Sequence, residues 1–500
     1  MRLGYGIAFD PISTFQVTAA AGKVPGLVTS CSSTVGRTTT PGCTSVPDVR
    51  IAQGFPFELP PPSVKPSSFF TPPLQTRSNA PSFTGFDPAL KLPTVHQWNL
   101  SIQRELPAGM VFQIGYVGRR GIRLNRAYDL NQINADPILP SFLAMQKNRS
   151  LGCNPDGTCP PGVTGVTVPI VASGIVSSDF VNTTTTANDL DQNAAGNFAG
   201  RVEDQTLAAR LRPNQQFSSF TYIDSGGDSY YHSVQITLRK RFEKGFFTGL
   251  SYTLGKSIDD QSVDPVGASS GGGLSTTNSR TPTDIRNWRG ERSRSDFDRR
   301  HVLTVNSIWD LPFGKSQRWG NSLNGALNQI AGGWSVNGIF TGMSGEPFSV
   351  RSGVRTSNFS HESRAALAGG LPEVKLQEIP NVFGPVVFKD ASGFTLPAPG
   401  SNGAGRNIFE APGYWNLDLG IQKIFRVTEG IRVQFRAEMF NALNHPNFDN
   451  PRDASAGSPS ILSTAFAQTC CATVAPPTTQ TIIQTGESAR VVQFALKLVW

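Results

Sequence analysis

The joints between this chain's period-two segments alternate between very short and very long, and few folds tolerate that. Three joints are tight, Leu106-Pro-Ala-Gly109, Glu243-Lys-Gly245 and Val427-Thr-Glu-Gly430, each with glycine where a hairpin needs positive φ. Between the hairpins run 11–93, 125–228, 258–298, 345–413 and 444–489, all rich in Gly, Ser, Pro, Asn and Thr; 311–332 counts as a longer member of the short set. Compact domains in water rarely carry so many structureless loops of this length. A β-wall that crosses a membrane does, with short turns on one side and long loops on the other.

The strands themselves number about ten by alternation. The clearest is 430–443, with Ile431, Val433, Phe435, Ala437 and Met439 on one face and Arg432, Gln434, Arg436 and Glu438 on the other. A row of four charged or amide side chains wants water, so the opposite row must meet something apolar. The same split recurs at 414–425 (Trp415, Leu417, Leu419, Ile421 against Asn416, Asp418, Gln422) and at 229–242 (Val234, Ile236, Leu238 against Gln235, Thr237, Arg239, Arg241). Weaker members lie at 94–106, 109–124, 246–257, 299–310 and 333–344. The chain begins in a strand, with Leu3, Tyr5, Ile7 and Phe9 alternating with Arg2, Gly4, Gly6 and Ala8, and closes in another. There Val492, Phe494, Leu496, Leu498 and Trp500 share a face opposed by Gln493 and Lys497. Counting back from Trp500 puts every tight turn on one side and every long segment on the other. Trp98, Trp309, Trp334, Trp415 and Trp500 stand at or near strand ends, where amphipathic rings anchor at bilayer interfaces.

Composition agrees. Gly 50 and Pro 37 with only 16% charged residues mark turn-rich β structure, and 38% apolar is too low for a helical membrane protein. No apolar run approaches the roughly 20 residues of a transmembrane helix. The mean hydropathy of -0.20 does not oppose a membrane location, because each barrel strand shows lipid only every second side chain. The fold class expected is all-β, a transmembrane antiparallel β-barrel, here a partial one of about ten strands with long extracellular loops. Because Met1–Asp10 holds a strand where an export signal would stand, the chain is expected to be the C-terminal part of a longer protein.

Chemistry is sparse. Gly267-Ala-Ser-Ser-Gly271 fits the hydrolase elbow, but it lies in Gly-Ser low complexity without the strand before and helix after that hold such a serine exposed, so no enzyme and no catalytic residue is expected. Between Arg280 and Arg300 stand seven arginines with Trp288 and Phe297 interleaved. Asp284, Glu291, Asp296 and Asp298 partly neutralise them, so the stretch reads as a solvated loop facing anionic lipid headgroups rather than as a nucleic-acid surface. His96, His232, His301, His361 and His445 are far apart and mostly at loop–strand junctions, where interface hydrogen bonding is the default; no metal or cofactor is expected. The cysteines are Cys31, Cys43, Cys153, Cys159, Cys470 and Cys471. Cys153 and Cys159 close a short turn-rich loop and suit a disulfide in an oxidising compartment, with unpaired loop thiols as the other reading.

Leu3 to Asp10, His96-Gln-Trp-Asn-Leu-Ser-Ile-Gln-Arg-Glu105, Tyr116-Val-Gly118, Tyr231-His-Ser-Val-Gln235, Asp298-Arg-Arg-His-Val302 with Leu311-Pro-Phe-Gly314, and Arg436-Ala-Glu-Met-Phe-Asn-Ala-Leu-Asn-His-Pro446 resemble the C-terminal barrel of Oar-like TonB-dependent receptors. Each piece is short, but together they span nearly the whole chain outside the long loops. The resemblance implies an outer-membrane location and uptake of an extracellular ligand energised through TonB. It implies as partners the outer-membrane lipid, TonB through an upstream segment that this sequence lacks, and the barrel-assembly machinery acting on the strand that ends at Trp500. Such receptors have about 22 strands, a plug and a regulatory-like N-terminal domain, and no such plug or domain is visible here. A surface adhesion or structural protein that uses the barrel only as an anchor is the alternative.

Overall fold

The computed structural model describes residues 1–10, 33–34, 37–38, 73–262, 282–315, 317–380, 385–428, 430–448, 450–451, 460–464, 466–469 and 489–500. Ten long strands form one antiparallel sheet in strict chain order: β1 (Arg2–Phe9), β2 (Thr94–Leu106), β3 (Met110–Asp129), β4 (Phe220–Glu243), β5 (Phe246–Asp259), β6 (His301–Asp310), β7 (Trp334–Met343), β8 (Tyr414–Arg426), β9 (Arg432–Phe440) and β10 (Val491–Val499). Two short strands join its upper rim, Phe83–Phe86 running parallel to β4 and Ser293–Arg294 antiparallel to β5. The tight turns follow the local chemistry. Ala108 and Gly109 (φ 61 and 66) and Lys244 and Gly245 (φ 53 and 77) turn the chain through the left-handed region that two-residue hairpins require.

Register carries one apolar face across the whole sheet. Ile102, Ile114, Ile236, Tyr252 and Leu303 stand opposite one another on five successive strands, and the row continues through Gly342 to Trp415. The reverse face carries Gln97, Asn99, Gln113, Gln235, Thr253, Asn306, Asn337, Asp418, Gln422 and Gln434. No edge-to-edge pairing joins β1 to β10 among the described residues, and both rows of apolar side chains on these edges lie open, Leu3 being 80% exposed and Leu496 74%.

A second regularity concerns the strands joined by long connections. In β1/β2, Tyr5 reaches diagonally to His96, with its hydroxyl 2.8 Å from Nδ1. The same diagonal places Tyr116 on His232 (2.6 Å) in β3/β4 and Tyr252 on His301 (2.7 Å) in β5/β6. In β7/β8 it pairs Phe340 with Trp415, and in β9/β10 Phe435 with Phe494, ring centroids 6.5 and 6.3 Å apart. Each clasp lies on the apolar face, within reach of diagonal cross-strand neighbours.

The long connections depart from expectation in being folded where they are described. The strands that bound 125–228 run further than alternation alone predicts, to Asp129 and from Phe220. Between them lie helices α1 (Leu139–Ser150), α2 (Thr184–Asp191) and α3 (Ala195–Gln205), with single turns at Pro169–Ala172 and Ser178–Val181. Ile138, Phe142 and Met145, and Ala195, Phe198, Ala199 and Val202, recur at helical spacing and bury together in one core. A second core gathers Phe348, Val350, Val387, Phe388, Phe394, Phe409 and Ala467 from the later connections. Phe359, from a later connection, packs against the first core, where Gly200 lies so close under it that an added Cβ would stand 2.1 Å from the ring. Cys153 and Cys159 form a disulfide within the first insert; Cys31, Cys43, Cys470 and Cys471 lie outside the described residues.

Candidate functional site

The polar face and the folded inserts above it form the candidate site. Two concavities lie along the polar face of the strands. One, of about 310 Å³, is walled by Gln97, Asn99, Ser101, Gln113, Arg119, Gln235 and Thr237 around Gly115, whose missing side chain leaves room for the amides. The other, of about 300 Å³, lies between Asn306, Asn337, Asp418 and Glu438 with Ile308, Ile339 and Phe440 beside them. Asp418 accepts hydrogen bonds from Asn416 Nδ2 (2.8 Å) and the Asn441 amide (2.9 Å), and Gln434 Nε2 donates to Gln422 at 3.1 Å. These groups offer hydrogen bonds to a polar solute; their arrangement holds no nucleophile–base pair.

Above the wall, buried ion pairs lock the inserts to the strand ends. Arg406 Nη1 donates to Asp259 Oδ1 and Nη2 to Asp296 Oδ1, both at 2.9 Å, and Nη1 also reaches the Glu291 carbonyl. Burial alone would lower its pKa, but Asp296 and Asp259 hold it above the ordinary arginine value. Arg364 pairs with Glu291, and Arg294 bridges Asp298 (2.8 Å) and Glu410 (2.7 Å). Arg126, paired with Asp224 at 2.7 Å, lies 3.8 Å from the Trp288 ring centroid. Under α3, Glu203 and Arg212 form a wholly buried pair at 2.7 Å. Three arginines and a histidine gather near Phe359: Arg77 and Arg355 lie over its ring, and burial together with Arg351 and Arg355 pushes the His361 imidazole down to about 3.

The reading of 280–300 as a solvated loop fails for the acidic residues of the stretch and for the arginines they hold. Asp284, Glu291, Ser295 and Asp298 are buried, and Arg286, Arg294 and Arg299 are tied to Asp284, Asp298 and Glu346. The acidic residues that seemed to dilute the arginines are their partners, taken out of water together. Arg292 lies over Tyr230, on the apolar side of the sheet. His96, His232 and His301 fill the hydrogen-bonding role read for strand-end histidines, and His445 stacks on Trp415 at 3.9 Å. The sequence places tyrosine and histidine in the apolar phase of these strands, but the register that brings each pair together is not written in it. Among the described residues no group of three His, Cys, Asp or Glu stands at metal-binding geometry, and 267–271 lies outside them.

A sheet of this length, polar on one face, apolar on the other and bounded by short turns on one side and folded loops on the other, defines an outer-membrane β-barrel protein. The family model of the outer membrane beta barrel domain matches residues 1–493, and the chain belongs to that family. It is a protein of the outer membrane. No curated protein matches it. Solved structures similar to it include the outer membrane transporter YddB from Escherichia coli (7% identity, TM-score 0.37, covering 84% of this chain and 34% of that one) and the ferric yersiniabactin uptake receptor FyuA from Yersinia pestis (8%, 0.31, 82% and 30%). The ferric-catecholate import receptor Fiu from E. coli K12 is another (8%, 0.31, 82% and 28%). The chain spans about a third of the length of these structures.

In this family the apolar rows meet lipid and the polar rows line the interior. Trp98 and Trp415 then stand toward the outer interface, and Trp309, Trp334 and Trp500 toward the periplasmic one. Lys423, which falls in the lipid-facing phase, is accommodated at that inner end. Its ammonium donates to the Ile330 and Gly332 carbonyls (both 2.7 Å) at the C-terminus of the helix Gly325–Ala331, where the dipole favours a cation.

Proposed function

We propose that the chain is the C-terminal part of the barrel of an Oar-like TonB-dependent receptor, which takes up an extracellular ligand through its interior. The observation that carries this reading is the open sheet. Among the described residues β1 and β10 each present an unpaired backbone edge and a lipid-facing row, Leu3 to Phe9 and Val492 to Leu498, at two sides of one continuous wall. Unpaired strand edges do not persist in hydrocarbon, so further strands of the same wall cover them. A wall of about 22 strands, the size of plugged outer-membrane transporters, accommodates these ten and their neighbours. The amide- and carboxylate-lined concavities then face the lumen through which a polar ligand passes, under a cap of folded loops.

In this reading, energy from TonB reaches the barrel through a plug-bearing segment preceding Met1, and the assembly machinery recognises β10 and its terminal Trp500. Sequencing the gene upstream of the Met1 codon tests it. A plug domain and TonB-contacting box in frame are expected; an unrelated passenger domain with no plug overturns the receptor reading in favour of a barrel-anchored surface protein.

A further inference from the structure

Many arginines of the outer half of the molecule are paired with carboxylates among the described residues. Arg126, Arg201, Arg212, Arg286, Arg294, Arg299, Arg364 and Arg406 each have an aspartate or glutamate within 4.0 Å. Three exposed cations on the lipid-facing side differ. Arg120 on β3, Lys256 on β5 and Arg292 just before the short strand Ser293–Arg294 have no carboxylate partner among the described residues. They are close together. The guanidiniums of Arg120 and Arg292 both lie against the Tyr230 ring, 5.2 and 4.8 Å from its centroid. Lys256 stands opposite His232 in the next row, diagonal to Tyr230. Asp228 lies one row further out on the same face and makes no ion pair with them.

Their height on the wall identifies the partner. Lys256 is level with His232, a member of the Tyr–His clasps, and Arg120 is one row outward, opposite Tyr230. Directly beneath run the apolar rows Val234–Leu254 and Ile236–Tyr252. Amphipathic aromatic pairs mark the headgroup level, and unpaired cations at that level, continuous with a lipid-facing surface, complement a phosphate whose acyl chains lie below it. Arginine presents two parallel donors to phosphate oxygens, and lysine adds a point charge. We propose that Arg120, Lys256 and Arg292 form an external docking site for the phosphate headgroup of an anionic lipid of the outer leaflet. The site stands on the outer-membrane location alone and does not depend on transport.

The test uses the full-length gene product, with the strands that flank this wall, folded in phosphatidylcholine vesicles doped with brominated phosphatidic acid, with brominated phosphatidylcholine as the reference. Bromines near the headgroup quench Trp98, whose ring lies 6.3 Å from that of His232. Phosphatidic acid is expected to be preferred by at least about fivefold, given roughly 1 kcal/mol per basic residue at a membrane surface. The combined Arg120→Gln, Lys256→Gln and Arg292→Gln protein should lose the preference, and Lys256→Gln alone should reduce it about fivefold. Arg119→Gln, the neighbouring cation on the lumen face, should leave it intact. Circular dichroism checks that each variant keeps its strands. No preference in the unaltered chain, or equal loss with Arg119→Gln, would overturn the proposal. Abolition of the preference by inorganic phosphate would replace a lipid with a free anion as the occupant.

Discussion

Replacing Ile236 by arginine puts the two-faced wall to its sharpest test. Ile236 lies on β4 midway between His232 of the outer clasps and Lys240 near the periplasmic turn, in the row that runs from Ile102 through Ile114 to Tyr252 and Leu303. Along a strand rising about 3.4 Å per residue and tilted about 40°, four residues correspond to roughly 10 Å along the membrane normal. Both ends of the roughly 25 Å apolar band are therefore about equally far, and a guanidinium at this position is near the midplane. The expected cost is about 2–4 kcal/mol, a factor of roughly 30 to 1,000 in the folding equilibrium. Gln235→Arg, one residue away, faces the lumen opposite Gly115 and beside Thr253, where room and water are available; it should stay within about 0.5 kcal/mol of the unaltered chain. Urea titration of the full-length gene product folded into phosphatidylcholine vesicles, followed by tryptophan fluorescence, measures both. Equal costs at the two positions would refute the assignment of faces.

Two further outcomes concern the cap. Glu203→Ala leaves Arg212 buried without its carboxylate and should destabilise the helical insert by about 3–5 kcal/mol, read as faster hydrogen exchange across α1 and α3 with little change in the strands. His361, held down to about 3, stays neutral in the folded cap while the unfolded segment takes up a proton below about 6.5. Its contribution is therefore intact above that value and falls as pH drops from about 6.5 toward 3, because the unfolded state binds more protons in that window. Hydrogen exchange around 354–363 should accelerate over this range, and His361→Asn should flatten the response; an unchanged pH profile in the variant would sink the idea.

The wall was legible in the sequence because its determinant is local. Alternation at 430–443 or 229–242 is written in consecutive residues, and the glycines of the tight turns fix where each hairpin reverses. The cap was not, because its determinants are distant in sequence. Glu291 reads as a dilution of a basic loop until Arg364 and the carbonyl contact from Arg406 are brought to it by another connection. The helices of 139–205 were written at spacings of three and four residues, but short apolar residues such as Ala195 and Ala199 give a faint signal among Asn, Thr and Gly. The Tyr–His partners depend on register across connections of tens of residues, which single-sequence periodicity does not report.

The diagonal clasps have a consequence for how such a protein diversifies. Strands joined by a tight turn inherit their register from the turn, whereas the five pairs joined by long connections receive none from the intervening chain. It is in these five that Tyr5–His96, Tyr116–His232, Tyr252–His301, Phe340–Trp415 and Phe435–Phe494 occur. Alignment of the wall is thereby decoupled from the length and content of what is inserted above it. Selection can rewrite an entire surface loop, or graft a new one, without shifting a single strand, so that the exposed part of the molecule can change while the scaffold beneath stays in step.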